Sequence, residues 1–224
     1  DSNIREMIFL STEVVSAETN FTKSFLAHEF QHLISFNQKE MINDSSEDTW
    51  LNELRSEYSV SLVGYNDTYY KSPLSRRVAS FLENPSDSLA EWPNENTDYS
   101  IASVFAEYLV EQYGGGILSD TIKTYSYGIN SINNFLQSKG HYERFDDIFL
   151  KWMAAVYLNN ISLNNDYGYV RPELQSIKVK PQQSISITSG VNEFTSSHLI
   201  KNWQPIWLEY NFNNFSTPQA KSVR

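Results

Sequence analysis

The chain has 224 residues, of which 40% are hydrophobic and 14% aromatic, enough to build the core of one large domain or two smaller ones. Its formal net charge of -10 argues against a nucleic-acid partner, because phosphate backbones are bound largely by clustered Lys and Arg. The absence of cysteine excludes disulfides and thiolate metal sites, so any transition metal must be held by His and carboxylates.

Neither a membrane span nor a signal peptide is evident in the sequence. No run of 18 or more apolar residues occurs, and the N-terminal segment lacks a basic start, an apolar centre and a small-residue cleavage site. We therefore expect a mature or excised fragment, with any targeting signal lying upstream.

The first predicted element is a strand at Met7–Leu10, where a short β-type apolar run has polar residues on both sides. A helix follows, which Asn20 or Thr22 can cap. Its apolar residues recur at helical spacing: Leu26, Phe30, Leu33 and Ile34.

A polar loop, "NQKEMINDSSED", then separates this helix from a second one that begins near Thr49. The apolar side of the second helix carries Trp50, Leu51, Leu54, Tyr58 and Leu62. Two helices joined by a short polar loop usually pack against each other, so we expect contact between them.

Further helices are predicted at Leu74–Leu82, from Tyr99 to the stop at "GGG", and in "ILSDTIKTYS", "INSINNFLQS" and "FDDIFLKWMAAVYLNN". Later, "QSIKVK", "SISITS" and "QPIWLEYNF" alternate with period two, which is typical of strands. We predict a mainly helical α+β protein, with a helical domain at 1–165 and a small β-rich region at 166–224.

The segment "LAHEFQHLI" contains an HExxH pattern. His28 and His32 lie four residues apart and share one helix face, so both imidazoles can reach a single Zn²⁺ ion. Glu29 can border that ion without binding it, as a general base for an activated water must. Two such histidines are also compatible with a partly exposed polar edge, or with core residues bonded to backbone carbonyls.

A catalytic zinc needs a third protein ligand, and Glu53 in "TWLNE" is the candidate. This segment resembles the gluzincin metallopeptidases, since in the aminopeptidase N family a "WLNEG" segment supplies the zinc-binding glutamate. Leu54 stands where that family usually has glycine. Glu57 can accept a hydrogen bond from a metal-bound histidine, the role of an acidic residue at this offset in thermolysin-like gluzincins. The alternative for both glutamates is a solvated helix face.

The helix "YSIASVFAEYLVEQYGG" is similar to one that follows the metal site in the aminopeptidase N family. That resemblance makes Tyr99 the candidate donor to the oxyanion of the tetrahedral intermediate. With fourteen tyrosines in the chain, an ordinary core or surface role is the alternative.

Across residues 7 to 163 the order of these motifs resembles the hyicolysin family of bacterial metallopeptidases. The resemblance implies a zincin fold, with "REMIFLST" as the strand beside the substrate, and a secreted, cell-surface or periplasmic location. We predict a monomeric zinc endopeptidase acting on peptide or protein substrates. An aminopeptidase and a non-catalytic surface or adhesion module remain alternatives.

The remaining histidines are predicted to lie outside the site. His141 precedes a helix and His198 lies in the β-rich region, and we expect both to face solvent. Asp146 and Asp147 begin a predicted helix, where they can cap it and interact with its dipole.

Overall fold

The computed structural model describes residues 7–8, 20–188 and 195–213, and this part of the chain is mainly helical. Its α-helices are α1 (Asn20–Phe36), α2 (Thr49–Leu62), α3 (Pro73–Glu83), α4 (Asn96–Tyr113), α5 (Gly116–Ser119), α6 (Gly128–Ser138) and α7 (Phe145–Leu158). Two strands, β1 (Gln183–Thr188) and β2 (Leu208–Asn213), pair in parallel, with Gln183 opposite Leu208. Within the described residues, no helix is both long and apolar enough to cross a membrane.

Helix α4 lies at the centre of the helical core, in contact with both α2 and α3. Small and apolar residues occupy all of its sides, so nearly every position from Ser100 to Leu109 is buried. Phe105 packs against Trp152 with ring centroids 5.3 Å apart and against Phe145 at 5.8 Å. This aromatic packing joins α4 to α7 beneath the face on which α1 and α2 lie.

Helix α4 begins three residues earlier than the sequence predicts. Asp98 accepts a hydrogen bond from the backbone N–H of Glu95 at 2.7 Å, and the side chain of Glu95 completes a capping box. Tyr99 therefore lies in the first turn of the helix and does not open it.

Two predicted segments differ from the structure. The start of the predicted loop continues α1 as a π-helix, Asn37–Ile42, whereas the helix predicted at 117–126 breaks into α5 and a 3₁₀ turn, Thr121–Lys123. The buried ammonium group of Lys39, in the π-helix, joins the two segments by donating to backbone carbonyls of the second. Those carbonyls belong to Thr121, Thr124 and Ser126.

The predicted strand in "QSIKVK" is wrong, although the two later strands are confirmed. Ile177 and Val179 are buried in the helical core, and the N–H of Val179 donates to the carbonyl of Val156 at 2.9 Å. The segment packs against the end of α7 and pairs with neither strand. Trp207 also joins this core. The division of the chain at residue 165 stays a prediction.

Helix α1 packs on α2 through a polar face. Ser24 and Ser35 are its buried residues, and the hydroxyl of Ser59 donates to the carbonyl of Ala27 at 3.1 Å. The apolar stripe of α1 points elsewhere: Leu26, Phe30 and Ile34 are 41%, 55% and 38% exposed. On α2, Leu62 is also exposed, unlike the rest of its predicted apolar side. Of the predicted N-terminal strand only Met7 and Ile8 are described, neither in a strand, and the remainder lies outside the described residues.

Candidate metal centre

Three side chains from α1 and α2 converge on one point. The Nε2 atoms of His28 and His32 lie 3.1 Å apart, and Oε2 of Glu53 lies 3.3 Å from the first and 3.4 Å from the second. Two ligands bound at about 2.0–2.1 Å to a tetrahedral ion lie roughly 3.3 Å apart. The triangle therefore has the dimensions of three ligand atoms on a single tetrahedral metal.

The chemistry of this donor set also fits a metal. Oε2 of Glu53 is buried, and within the described structure its close polar contacts are the two imidazole nitrogens, neither of which meets it in good hydrogen-bond geometry. Two imidazole nitrogens and one carboxylate oxygen are a donor combination that suits zinc. Within the described residues, this trio is the group of His, Asp and Glu that can hold a metal ion.

The electrostatics of the triangle favour a positive charge at its centre. Burial alone would lower the pKa of His28, but hydrogen bonds and negative charge from Glu53 and Glu57 raise the pKa to about 9. Burial would raise the pKa of Glu53, but His28 and His32 lower the pKa to about 2. A proton or a metal cation can supply the charge that these groups stabilise.

A second set of contacts fixes the ring of His28. Oε1 of Glu57 lies 3.3 Å from Nδ1, the nitrogen that faces away from the triangle. Arg77 donates two hydrogen bonds to the Glu57 carboxylate, both at 2.9 Å, and the hydroxyl of Ser103 donates a third at 2.8 Å. Burial opposes ionisation of Glu57, but His28 and Arg77 lower its pKa to about 2. These contacts hold Nε2 of His28 toward the triangle.

The ring of His32 is held by residues of α2 on both sides of Glu53. Nδ1 of His32 lies 3.1 Å from the hydroxyl of Ser56 and 3.3 Å from the amide oxygen of Asn52. Neither Asn52 nor Ser56 was predicted from the sequence, although the two lie one turn apart and share a face of α2. The sequence also did not predict Arg77 and Ser103, which are far from the histidines in sequence and carry no local signal.

Glu29 stands between two cavities that open on either side of the triangle. The first, which we call the Tyr99 cavity, has a volume of about 520 Å³ and is bordered by His28, Glu29 and Tyr99. The second, the Asn52 cavity, has a volume of about 460 Å³ and is bordered by Glu29, His32 and Asn52. Within the described structure the Glu29 carboxylate makes no hydrogen bond or ion pair, so it is free to contact a ligand in either cavity.

Tyr99 lies beside His28, with ring centroids 6.5 Å apart. Its hydroxyl donates to the amide oxygen of Asn94 at 2.7 Å. The edge of Trp92 packs on its ring at 5.1 Å, and the Arg77 guanidinium lies 4.8 Å from the ring centroid. Tyr99 is therefore adjacent to the triangle, but its hydroxyl is bonded to a loop residue.

The other candidates lie elsewhere, as expected. His141 is exposed, and its ring contacts that of Tyr113 with centroids 5.3 Å apart. His198 is also exposed, and it forms a hydrogen bond with Ser196. Asp147 caps α7 by accepting from the N–H of Arg144 at 2.9 Å, and Asp146 occupies the first turn.

Comparison with known proteins finds a distant relative whose name is that of a metalloprotease. The chain is 27% identical over 182 residues to the neutral metalloprotease ShpI of Staphylococcus hyicus, and the match covers 74% of this chain. It covers 39% of that relative, so the chain spans well under half of the relative's length. No protein-family model matches.

Proposed function

We propose that the protein is a zinc-dependent metalloendopeptidase with a zincin fold and an HExxH-plus-glutamate site of the gluzincin type. The observation that carries this proposal is the triangle of donor atoms from His28, His32 and Glu53, whose sides of 3.1–3.4 Å suit tetrahedral zinc. The distant similarity to a metalloprotease supports the same class of activity.

In the proposed mechanism His28, His32 and Glu53 hold Zn²⁺, which when bound polarises the scissile carbonyl and acidifies a water in the site. Glu29 accepts the proton of that water at its carboxylate and later passes it to the leaving amine. Its position between the two cavities, with no competing partner in the described structure, supports this role.

Other side chains orient the reacting groups. Glu57, held by Arg77, fixes His28 so that Nε2 faces the metal. Tyr99 donates a hydrogen bond to the oxyanion once its hydroxyl exchanges the bond to Asn94 for the substrate. A phenol whose pKa is raised by burial and by Glu53 stays protonated at neutral pH, as this donor role requires.

The two cavities favour an endopeptidase over an aminopeptidase. An endopeptidase must hold substrate on both sides of the cleaved bond, and space of similar volume flanks Glu29 on both sides. Cleavage of a peptide blocked at its N-terminus is the expected result. Hydrolysis restricted to peptides with a free α-amine would instead identify an aminopeptidase.

Zinc analysis combined with casein digestion tests the mechanism. The wild type should carry about one zinc per chain and should lose activity with phenanthroline. Glu29→Gln should retain zinc and lose hydrolysis, whereas His28→Ala and Glu53→Ala should lose zinc. Full activity of the Glu29 variant would refute the assigned base. Stoichiometric zinc in the wild type without turnover would favour the non-catalytic surface module.

We further propose that the protein acts as an exported monomer on protein or peptide substrates. The lack of cysteine in all 224 residues is compatible with export from bacteria. Light scattering coupled to size exclusion should give a mass near 25.9 kDa, and a multiple of that mass would refute the monomer.

A further inference from the structure

The Tyr99 cavity adjoins a third cavity of about 220 Å³, which we call the outer cavity. The two share Phe21, Pro73 and Arg76 as lining residues, so they lie side by side, and we call the pair the path that leads away from His28 and Glu29. A peptide held at the candidate metal centre would extend along this path.

The charge of the path is opposite to that of the whole chain. The outer cavity is bordered by Lys71 and Arg76, and no carboxylate of the described residues lines it. In the Tyr99 cavity, Arg77 is already engaged by the carboxylate of Glu57. In a protein with net charge -10, two cations that have no acidic partner among the described residues therefore face the same space.

Arg76 is held in a way that leaves its hydrogen-bond donors available. Its guanidinium lies over the ring of Phe21, with Cζ 5.3 Å from the centroid, and it forms no ion pair within the described structure. A cation–π contact does not use the N–H donors of the guanidinium as hydrogen bonds do, and those donors match a carboxylate bidentately. Lys71 is similarly placed over the ring of Tyr70 at 5.2 Å.

An unpaired surface lysine or arginine is common and by itself indicates no ligand. Here both cations border one concave path that begins at the candidate catalytic residues, and an aromatic ring orients each of them. Pro73, at the first position of α3, also lines the path, so the positive end of that helix lies at the same place.

We propose that the outer cavity binds a carboxylate of the peptide substrate, with Arg76 as the principal contact and Lys71 as the second. The carboxylate belongs either to an acidic side chain or to a free C-terminus. It lies on the side of the cleaved bond that occupies the Tyr99 cavity, which His28 borders. This inference rests on the proposed peptidase function and names its substrate class, namely peptides that carry a carboxylate on that side of the cleaved bond.

Paired fluorogenic peptides test the selectivity. In one arm each peptide carries Glu or the isosteric Gln at a single position on either side of the cleaved bond. In the other arm the C-terminus is free or amidated. We expect the wild type to prefer the carboxylate by roughly tenfold in kcat/KM in at least one arm, as a charge-assisted hydrogen bond implies.

The variants assign that preference to the path. Arg76→Gln should reduce the ratio to about twofold or less, and Arg76→Glu should reverse it in favour of a Lys peptide, which a misfolded protein cannot do. Lys180→Gln, an exposed residue that lines neither cavity, removes the same charge and should leave the ratio unchanged. Equal cleavage of both members of every pair by the wild type would overturn the proposal and leave the peptidase function intact.

A binding measurement separates this inference from the proposed function. Zinc-loaded Glu29→Gln protein is titrated with the same peptides carrying a fluorophore, and anisotropy reports affinity without turnover. Tighter binding of the carboxylate peptide that disappears in the Glu29→Gln, Arg76→Gln double variant supports the cationic site, even if the wild type cleaves nothing. Equal affinities for both members of each pair would refute the site.

Discussion

Replacing Lys39 by Met should destabilise the fold by about 3–5 kcal/mol. The side chain is 1% exposed, and its ammonium donates to three carbonyl oxygens at 2.9, 3.0 and 2.5 Å. Met has a similar length and volume, so the change removes these charge-assisted bonds while keeping most of the packing. The change removes a charged donor from three carbonyls, although those of Thr121 and Ser126 still accept from the Thr124 hydroxyl, and it removes a cation 3.4 Å from the carboxylate of Glu47, which together give this magnitude. Glu47 keeps Arg55 at 2.7 Å, which limits the loss.

Urea unfolding followed by circular dichroism measures the effect. The matched control is Lys123→Met on the same protein, because Lys123 is 61% exposed and its one ion pair among the described residues, to Asp120, is 3.8 Å long. Such a pair contributes at most about 1 kcal/mol, so the control should unfold near the wild-type midpoint. If Lys39→Met lost no more stability than Lys123→Met, the contacts of the buried ammonium group would not contribute the stability expected of them.

Three further outcomes are expected. Glu57→Gln should weaken zinc binding roughly 10–100-fold in a chelator competition, whereas exposed Glu83→Gln should not; equal affinities would show that the contact between Glu57 and His28 does not support zinc binding. In the zinc-free protein the pKa of His28 is raised from 6.5 to about 9, so the protonated ring stabilises the fold by up to about 3 kcal/mol. This contribution is complete below pH 6.5 and is lost as the pH rises through 9. The stability of His28→Gln, measured by thermal melts, should not decline over this pH range. The same slope of stability against pH as in the wild type would contradict the prediction. Gly128→Ala should destabilise by more than 1 kcal/mol in the same melts, because φ is +53° and the new Cβ would lie 2.0 Å from Oδ2 of Asp48; a neutral effect would contradict that geometry.

Much of the candidate site follows from local geometry. Residues at i and i+4 on a helix share a face whatever the helix packs against, so His28 and His32 point the same way for a reason internal to α1. The same holds for Asn52 and Ser56 on α2. Glu53 was predicted by resemblance to a family motif, and the structure brings its carboxylate to the two imidazoles. The roles assigned to these residues remain proposals.

The orientation of α1 and the burial of Lys39 depend on tertiary contacts that the periodicity of the sequence does not indicate. The apolar stripe of α1 predicts a face for a core, yet α1 meets α2 through serines and histidines and leaves Phe30 55% exposed. The spacing of apolar residues shows only that one side of the helix is apolar. The direction in which that side faces depends on how a second helix packs. Likewise, nothing near Lys39 in sequence indicates the carbonyls that bury it, which lie more than 80 positions away.

The sequence by itself predicted most of the helices, their order and three candidate metal donors, because propensity, capping and i,i+4 spacing act within a few residues. Only the tertiary structure revealed that Arg77 holds Glu57 against His28, that Tyr99 is bonded to Asn94, and that Arg76 faces an open path beside the site. These contacts join residues of different elements, and their geometry depends on how α1, α2, α3 and α4 pack together. Local residue preferences carry no information about that packing.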